Sequence, residues 1–220
     1  MVTVQEHTTK NPISLIGYEA GVCWGSDIDN PDKNYKRGLD CIKANHGRTL
    51  EFPQIYLTIS EYSARCIREL YTHIGGSPTR LQESTRYIDC ENFSYFFPES
   101  LYKNKDSELI YKTTMKNIRK AYGDLLHYGI PKEDAANLLP LGMMSKVVIR
   151  TNLRNLIDMM KVRQCSRAYH EIRKLMQEIK KELSNYSEEW KILCDNYMPI
   201  KCEELGYCNE KNSCGKFNSK

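Results

Sequence analysis

Gln54-Ile-Tyr-Leu-Thr-Ile-Ser60 is a run of β-branched and aromatic residues, and it predicts a strand. Ser60 is placed to cap a helix that carries Ala64, Ile67 and Leu70 on one face. That helix must end by Gly75-Gly76, with Pro78 just beyond. Toward the N-terminus, Tyr35, Leu39 and Ile42 recur at helical spacing, with Gly47 as a stop. Ile13 to Cys23 (ISLIGYEAGVC) is apolar and punctuated by glycine, which predicts a first strand and turn, and Trp24 to Lys33 has loop chemistry. Arg86 to Phe97 (RYIDCENFSYFF) predicts extended chain. The second half is mostly helical. Leu109, Ile110, Ile118, Tyr122, Leu125 and Leu126 form one stripe that stops near Gly129, and Glu133 to Leu139 predicts a short helix ended by Pro140. From Thr151 to Leu183 apolar residues keep a helical period, as one helix or two. Beyond Asn185 the period fades. Strands early and helices late predict an α+β fold. Residues 1–190 are expected to form one domain and 191–220 a cysteine-rich tail.

The composition excludes several classes. Hydrophobic residues at 40% and charged residues at 27% rule out a disordered or collagen-like chain. No run approaches 18 apolar residues, and Met1 to Lys10 holds no apolar signal core, so neither a membrane nor a leader is expected. A net charge of +4 is too small to argue for a nucleic-acid polymer as partner, though a small basic nucleic-acid-binding module with a metal-binding tail is one alternative reading. Nine cysteines is an odd count, and with no leader it predicts reduced thiols in a cytoplasmic protein. Cys194, Cys202, Cys208 and Cys214 crowd the tail. Four thiolates can hold zinc, but their spacings lack Cys-x-x-Cys pairs, so the expectation is free thiols and no metal.

Two stretches concentrate polar chemistry. Tyr71-Thr-His-Ile-Gly-Gly-Ser-Pro-Thr-Arg-Leu-Gln-Glu-Ser-Thr-Arg-Tyr87 offers glycines for close backbone approach, the hydroxyls of Ser77, Thr79, Ser84 and Thr85, and the forks of Arg80 and Arg86. The same composition also describes a plain connecting loop. Arg150-Thr-Asn-Leu-Arg-Asn-Leu-Ile-Asp-Met-Met-Lys-Val-Arg163 places Asn152 and Arg163 about three helical turns apart on nearly one face, beside the apolar Leu153, Leu156, Ile157 and Met160. Those polar groups face either a buried ligand or solvent, with Arg154 and Asp158 paired at i, i+4.

Both stretches resemble the flavin-dependent thymidylate synthase (ThyX) family. Its signature reads Arg-His-Arg-x-x-Ser-x-Asn-Glu-x-Ser-x-Arg-Tyr. Here Thr72-His73-Ile74 stands in place of Arg-His-Arg, Gln82 falls where the signature glutamate belongs with Glu83 next to it, and Ser84-Thr85-Arg86-Tyr87 matches the end. The downstream pattern appears as Leu139-Pro140-Leu141, Asn152-Leu153-Arg154, Val162-Arg163 and Ala168 to Ile172, and His46 to Glu51 resembles an upstream segment.

The resemblance implies methylation of dUMP to dTMP, with carbon from 5,10-methylenetetrahydrofolate and electrons from NADPH through FAD. It implies a single domain with a mixed or antiparallel sheet and long helices, a homotetramer with shared active sites, and no cysteine nucleophile. Carried over by position, Arg163 favours the ionised uracil ring and is the catalytic residue. Glu69, Gln82, Glu83, Ser84, Thr85, Arg86 and Arg163 bind dUMP. Thr72, His73, Ile74, Gln82, Asn152, Leu153, Arg154 and Asp158 contact FAD. His46 lies at the folate or nicotinamide pocket. Arg80, unmatched in the signature, is expected to restore charge lost at Thr72 and Ile74.

Overall fold

The computed structural model describes residues 1–75 and 78–219; the predicted stop at Gly76 and the hydroxyl of Ser77 lie outside the described residues. The fold is α+β, with one four-stranded sheet in the order β1-β2-β4-β3: β1 (Val2–Val4), β2 (Gln54–Ser63), β3 (Thr79–Gln82) and β4 (Met144–Asn152). β1 runs antiparallel to β2, with Val2 opposite Ile59 and Val4 opposite Leu57. The chain forms two compact units, one of residues 1–59, 69–80 and 148–220, the other of residues 60–68 and 81–147.

The first unit is mostly helical: α1 (Pro12–Cys23), α2 (Pro31–Lys43), α6 (Leu153–Arg163), α7 (His170–Tyr186), α8 (Glu188–Asn196) and α9 (Lys201–Leu205) belong to it. The strand expected at Ile13 to Cys23 is the helix α1. Its glycines serve a different purpose from turning the chain. A Cβ on Gly17 would lie 1.7 Å from the Asn34 carbonyl oxygen, and one on Gly38 would lie 1.9 Å from that of Ile13. α1 and α2 therefore pack backbone to backbone, which only glycine permits. α7 buries Ile172, Leu175, Met176, Ile179 and Leu183 completely, the stripe predicted from its period. The tail is more regular than expected. Ser187 caps α8 by accepting from the Trp190 amide, and the fully buried Trp190 donates its indole N–H to the Thr9 carbonyl at 2.7 Å.

The second unit is built on α4 (Lys105–His127), capped by the Asn104 side chain. α4 packs Met115 and Tyr122 against Cys90, Phe93, Ala135 and Met143. The short α5 (Lys132–Ala135) follows. Residues Arg86 to Phe97, expected to be extended, are turns with a single bridge from Tyr95 to Met143. Their aromatic side chains pack on α4 instead, and Arg119 donates to the Phe93 carbonyl while its guanidinium lies 5.2 Å from the Phe93 ring. β2 runs three residues beyond the predicted Ser60. Ser63, not Ser60, accepts from the Cys66 amide at the start of α3 (Ala64–Leu70).

Candidate functional site

The site grows out of the junction of β4 and α6. Asn152 is the last residue of β4 and sits in extended geometry, so its side-chain oxygen accepts from the Asn155 amide at 2.9 Å and caps the helix. Asn155 donates to the Thr151 hydroxyl at 2.8 Å, and the Leu153 amide donates to the Pro53 carbonyl at 3.1 Å. Leu153, Leu156 and Met160 are fully buried. The apolar face thus fixes α6 as a rigid rod, and its polar side chains leave on two other sides.

Arg163 ends the rod. Its Nε donates to Nε2 of His73 at 2.9 Å, one terminal nitrogen to Glu69 at 2.7 Å, and the other to the Thr72 hydroxyl at 2.9 Å. Thr72 in turn donates to the Glu69 carbonyl. A guanidinium has no acceptor, so His73 must present a bare ring nitrogen and keep its proton on Nδ1. Burial, then the Arg163 and Arg80 cations, push the His73 pKa down to about 4. His73 is therefore neutral at physiological pH. Arg80 donates to the His73 carbonyl and its guanidinium lies 5.1 Å from the Tyr71 ring. The result is an oriented cation paired with Glu69, with a second guanidinium bonded to the His73 carbonyl. Such a group can stabilise negative charge that develops on a ligand oxygen or ring nitrogen. Ile74, by contrast, is 75% exposed.

Arg154 lies nine residues before Arg163, two and a half turns away, and so points to the opposite side of α6. It donates to Glu51 at 2.7 Å, and this bond holds the Glu51 carboxyl below its ordinary range. Gly47 packs against its guanidinium: a Cβ there would lie 3.1 Å from the Arg154 Cζ. Arg154 and Asp158 line a cleft of about 390 Å³ together with Lys43 and Lys161. His46 is exposed, with its ring 6.2 Å from that of Trp24, and does not line that cleft.

In the second unit, Gln82 donates to the Ser145 hydroxyl at 2.9 Å. The Glu83 amide donates to the Lys146 carbonyl, and the Lys146 amide donates back to the Glu83 carboxylate. Ser84 starts a turn by accepting from the Tyr87 and Ile88 amides, and its hydroxyl accepts from the Arg86 amide. Arg86 is exposed with its guanidinium 5.5 Å from the Tyr87 ring, beside half-buried Ser84 and Thr85.

The structure therefore brings Glu69, Thr72, His73 and Arg163 together and gathers Arg154 and Asp158 in a separate cleft. Of the predicted flavin contacts, Asn152 is 5% exposed and caps α6 through its side-chain oxygen, and the Leu153 side chain is wholly in the core. Lys161 and Lys43, which the motif reading missed, carry a signal of their own, cations at i+3 from Asp158 and just before Gly47. The four tail cysteines do not gather: Cys202, Cys208 and Cys214 line a cavity of about 140 Å³ with Cys165, while Cys194 is buried in α8. Among the described residues no group of three or more His, Cys, Asp or Glu is placed to hold a metal. Among them too, no helix is long and apolar enough to cross a membrane.

The family model described as thymidylate synthase complementing protein matches residues 3–187. The chain belongs to this family. The flavin-dependent thymidylate synthase of Pyrococcus abyssi is 30% identical over 215 residues, covering 92% of this chain and 87% of that protein. The enzyme of the same name from Thermococcus onnurineus is 31% identical over 214 residues, covering 92% and 86%. Two solved structures share the ThyX fold. One is the Helicobacter pylori ThyX complexed with FAD and dUMP, at 18% identity and a TM-score of 0.68, covering 86% of this chain and 97% of that one. The other is the UMP/dUMP methylase PolB from Streptomyces cacaoi bound with 5-Br dUMP, at 15% identity and a TM-score of 0.73, covering 90% and 95%. This ThyX-family chain departs from the signature at Thr72 and Ile74, and Thr72 uses its hydroxyl to hold Arg163.

Proposed function

We propose that the protein is a flavin-dependent thymidylate synthase that converts dUMP to dTMP, taking carbon from 5,10-methylenetetrahydrofolate and electrons from NADPH. The observation that carries the reading is the orientation of Arg163 by His73, Thr72 and Glu69. Flavin, when bound, supplies the hydride. The donor set of the α6 cleft suits such a group: Lys43, Arg154 and Lys161 line, with Asp158 and Glu204, a space of about 390 Å³, which is within the range of small-molecule sites, and the three cations offer donors to a diphosphate.

In this reading Arg163 favours the ionised uracil ring, because its charge persists at any working pH. Glu69 and neutral His73 keep the fork aimed. Ser84, Thr85 and Arg86 take the nucleotide phosphate and sugar, with Gln82 and Glu83 beside them; Arg154 and Asp158 take the flavin, and His46 the folate or nicotinamide side. Arg154 and Arg163 leave α6 on opposite sides, an arrangement that supports a homotetramer in which copies of the chain share each site. Residues 1–190 form the catalytic domain, 191–220 the tail, and the protein works in the cytoplasm.

The test is the absorbance spectrum of purified protein with FAD and its change on adding dUMP, followed by dTMP formation. Arg163→Ala is expected to abolish turnover and retain FAD. A protein that takes up no FAD refutes the reading. Flavin binding without dTMP formation instead marks a nucleotide-binding relative that has lost turnover at Thr72 and Ile74.

A further inference from the structure

The cleft that holds Arg154 and Asp158 is closed on its far side by chain that the family model does not reach. Asn196, Tyr197 and Glu204 line it, whereas the family match stops at residue 187. This wall is firmly placed. Met198 is 2% exposed, and Gln164, just after α6, donates to the Met198 carbonyl at 3.1 Å. Trp190 and Leu193 anchor the preceding helix in the core. On the α6 side, Arg154, Asp158 and Lys161 follow one another at i, i+4 and i+7, a single ridge of the helix. Lys161 has its side chain 22% exposed and pairs with Glu204 at 2.7 Å.

We propose that Lys161 and Tyr197 are ligand-binding residues of this cleft: Lys161 exchanges Glu204 for a phosphate of the flavin dinucleotide, and Tyr197 forms the wall on which the rest of the ligand packs. The inference rests on the flavin reading above. It adds that Glu204 competes with the ligand for one ammonium group. A half-buried lysine between a carboxylate and an incoming phosphate keeps one charge-assisted bond in either state, and the released Glu204 carboxylate, whose side chain is 44% exposed, is solvated.

The test is a fluorescence titration of the flavin-free full-length protein with FAD and, separately, with riboflavin, which has no phosphate. Lys161→Ala is expected to weaken FAD binding about tenfold and leave riboflavin binding unchanged, as loss of one charge-assisted bond predicts. Lys161→Arg should restore most of the FAD affinity. Tyr197→Ala should weaken both ligands severalfold. Glu204→Gln should tighten FAD binding, because the competitor loses its charge. If Glu204 merely held the tail in place, Glu204→Gln would weaken FAD instead, and that result overturns the proposal. So does unchanged FAD affinity in Lys161→Ala or in Tyr197→Ala, each checked for native folding by circular dichroism. Absence of FAD binding by the wild type defeats the flavin reading itself, whereas wild-type binding with unaffected variants defeats only this inference.

Discussion

His73 is the most exacting probe of the site. Its ring nitrogen accepts from Arg163, and burial with two nearby guanidinium groups pushes its pKa from the ordinary 6.5 to about 4. In the unfolded chain the ring takes up a proton as pH falls through 6.5; in the folded protein it stays neutral until about pH 4. The unfolded state therefore binds more protons across that window, and stability rises with pH there. His73 stabilises fully above pH 6.5, and its contribution is lost as pH falls toward 4, below which no further loss follows from this residue. A shift of this size corresponds to about 3 kcal/mol at 1.36 kcal/mol for each tenfold change. Partial solvation of the half-buried ring reduces that to about 2 kcal/mol. The assay is urea unfolding of the wild type and His73→Gln between pH 4 and 7.5. Glutamine offers an oxygen to Arg163 and does not titrate. The stability difference, wild type minus variant, should fall by about 2 kcal/mol from pH 7 to pH 4. A difference that stays flat would mean that His73 is not held as a neutral acceptor, and the orientation argued for Arg163 would go with it.

Three further outcomes follow from the packing. Gly38→Ala places a methyl group 1.9 Å from the Ile13 carbonyl oxygen; it should cost about 3 kcal/mol or more in a denaturant melt, since two helix backbones must part. Asn152→Ala removes the cap of α6 and should cost about 1–2 kcal/mol, with a matching loss of turnover in any assay that reports Arg163; an unchanged melting temperature would contradict the capping role. Cys214 is exposed and its thiol is lowered by the Ser166 hydroxyl and backbone amides. It should be the first of the nine alkylated by iodoacetamide, read by peptide mass spectrometry, while the buried Cys41, Cys66, Cys90, Cys194 and Cys208 stay unlabelled until the protein unfolds.

Periodicity revealed α6 and α7, because each buries a stripe at 3.6-residue spacing, and the β-branched run revealed β2. Periodicity also found α4, although Leu109 and Ile110 of the expected stripe are exposed and the helix buries Met115 and Tyr122 instead. It failed where a residue type serves two purposes. Glycine in α1 marks close approach of another helix, a tertiary fact that a local reading takes for a turn. β4 went unread, although Ser145, Val147, Ile149 and Thr151 alternate as buried positions, because two of the four are polar and weaken the apolar pattern. α8 hid because a nine-residue helix shows barely two turns of period. In the site, the identities of His73 and Arg163 were legible through the family motif. Their meeting was not: ninety residues separate them, and only the fold sets the hydrogen bond. Helical spacing aligned Asn152 with Arg163, but the residue at a helix start is drawn into capping, and its side-chain oxygen accepts the Asn155 amide there.

α6 explains why one short helix carries two sets of motif residues. An eleven-residue rod makes about three turns, enough for an apolar stripe and two polar sides. Burial of Leu153, Leu156 and Met160 fixes the rotation of the rod about its axis. Once that rotation is fixed, Arg163 must point toward Glu69 and His73, and Arg154, Asp158 and Lys161 must point toward the cleft. A core substitution that rolls α6 would therefore misplace both sets together, although it touches neither. Replacing a charged residue on one side should disturb that side alone. The two polar sides are coupled through packing, so the apolar stripe is as much a part of the site's geometry as the cations it aims.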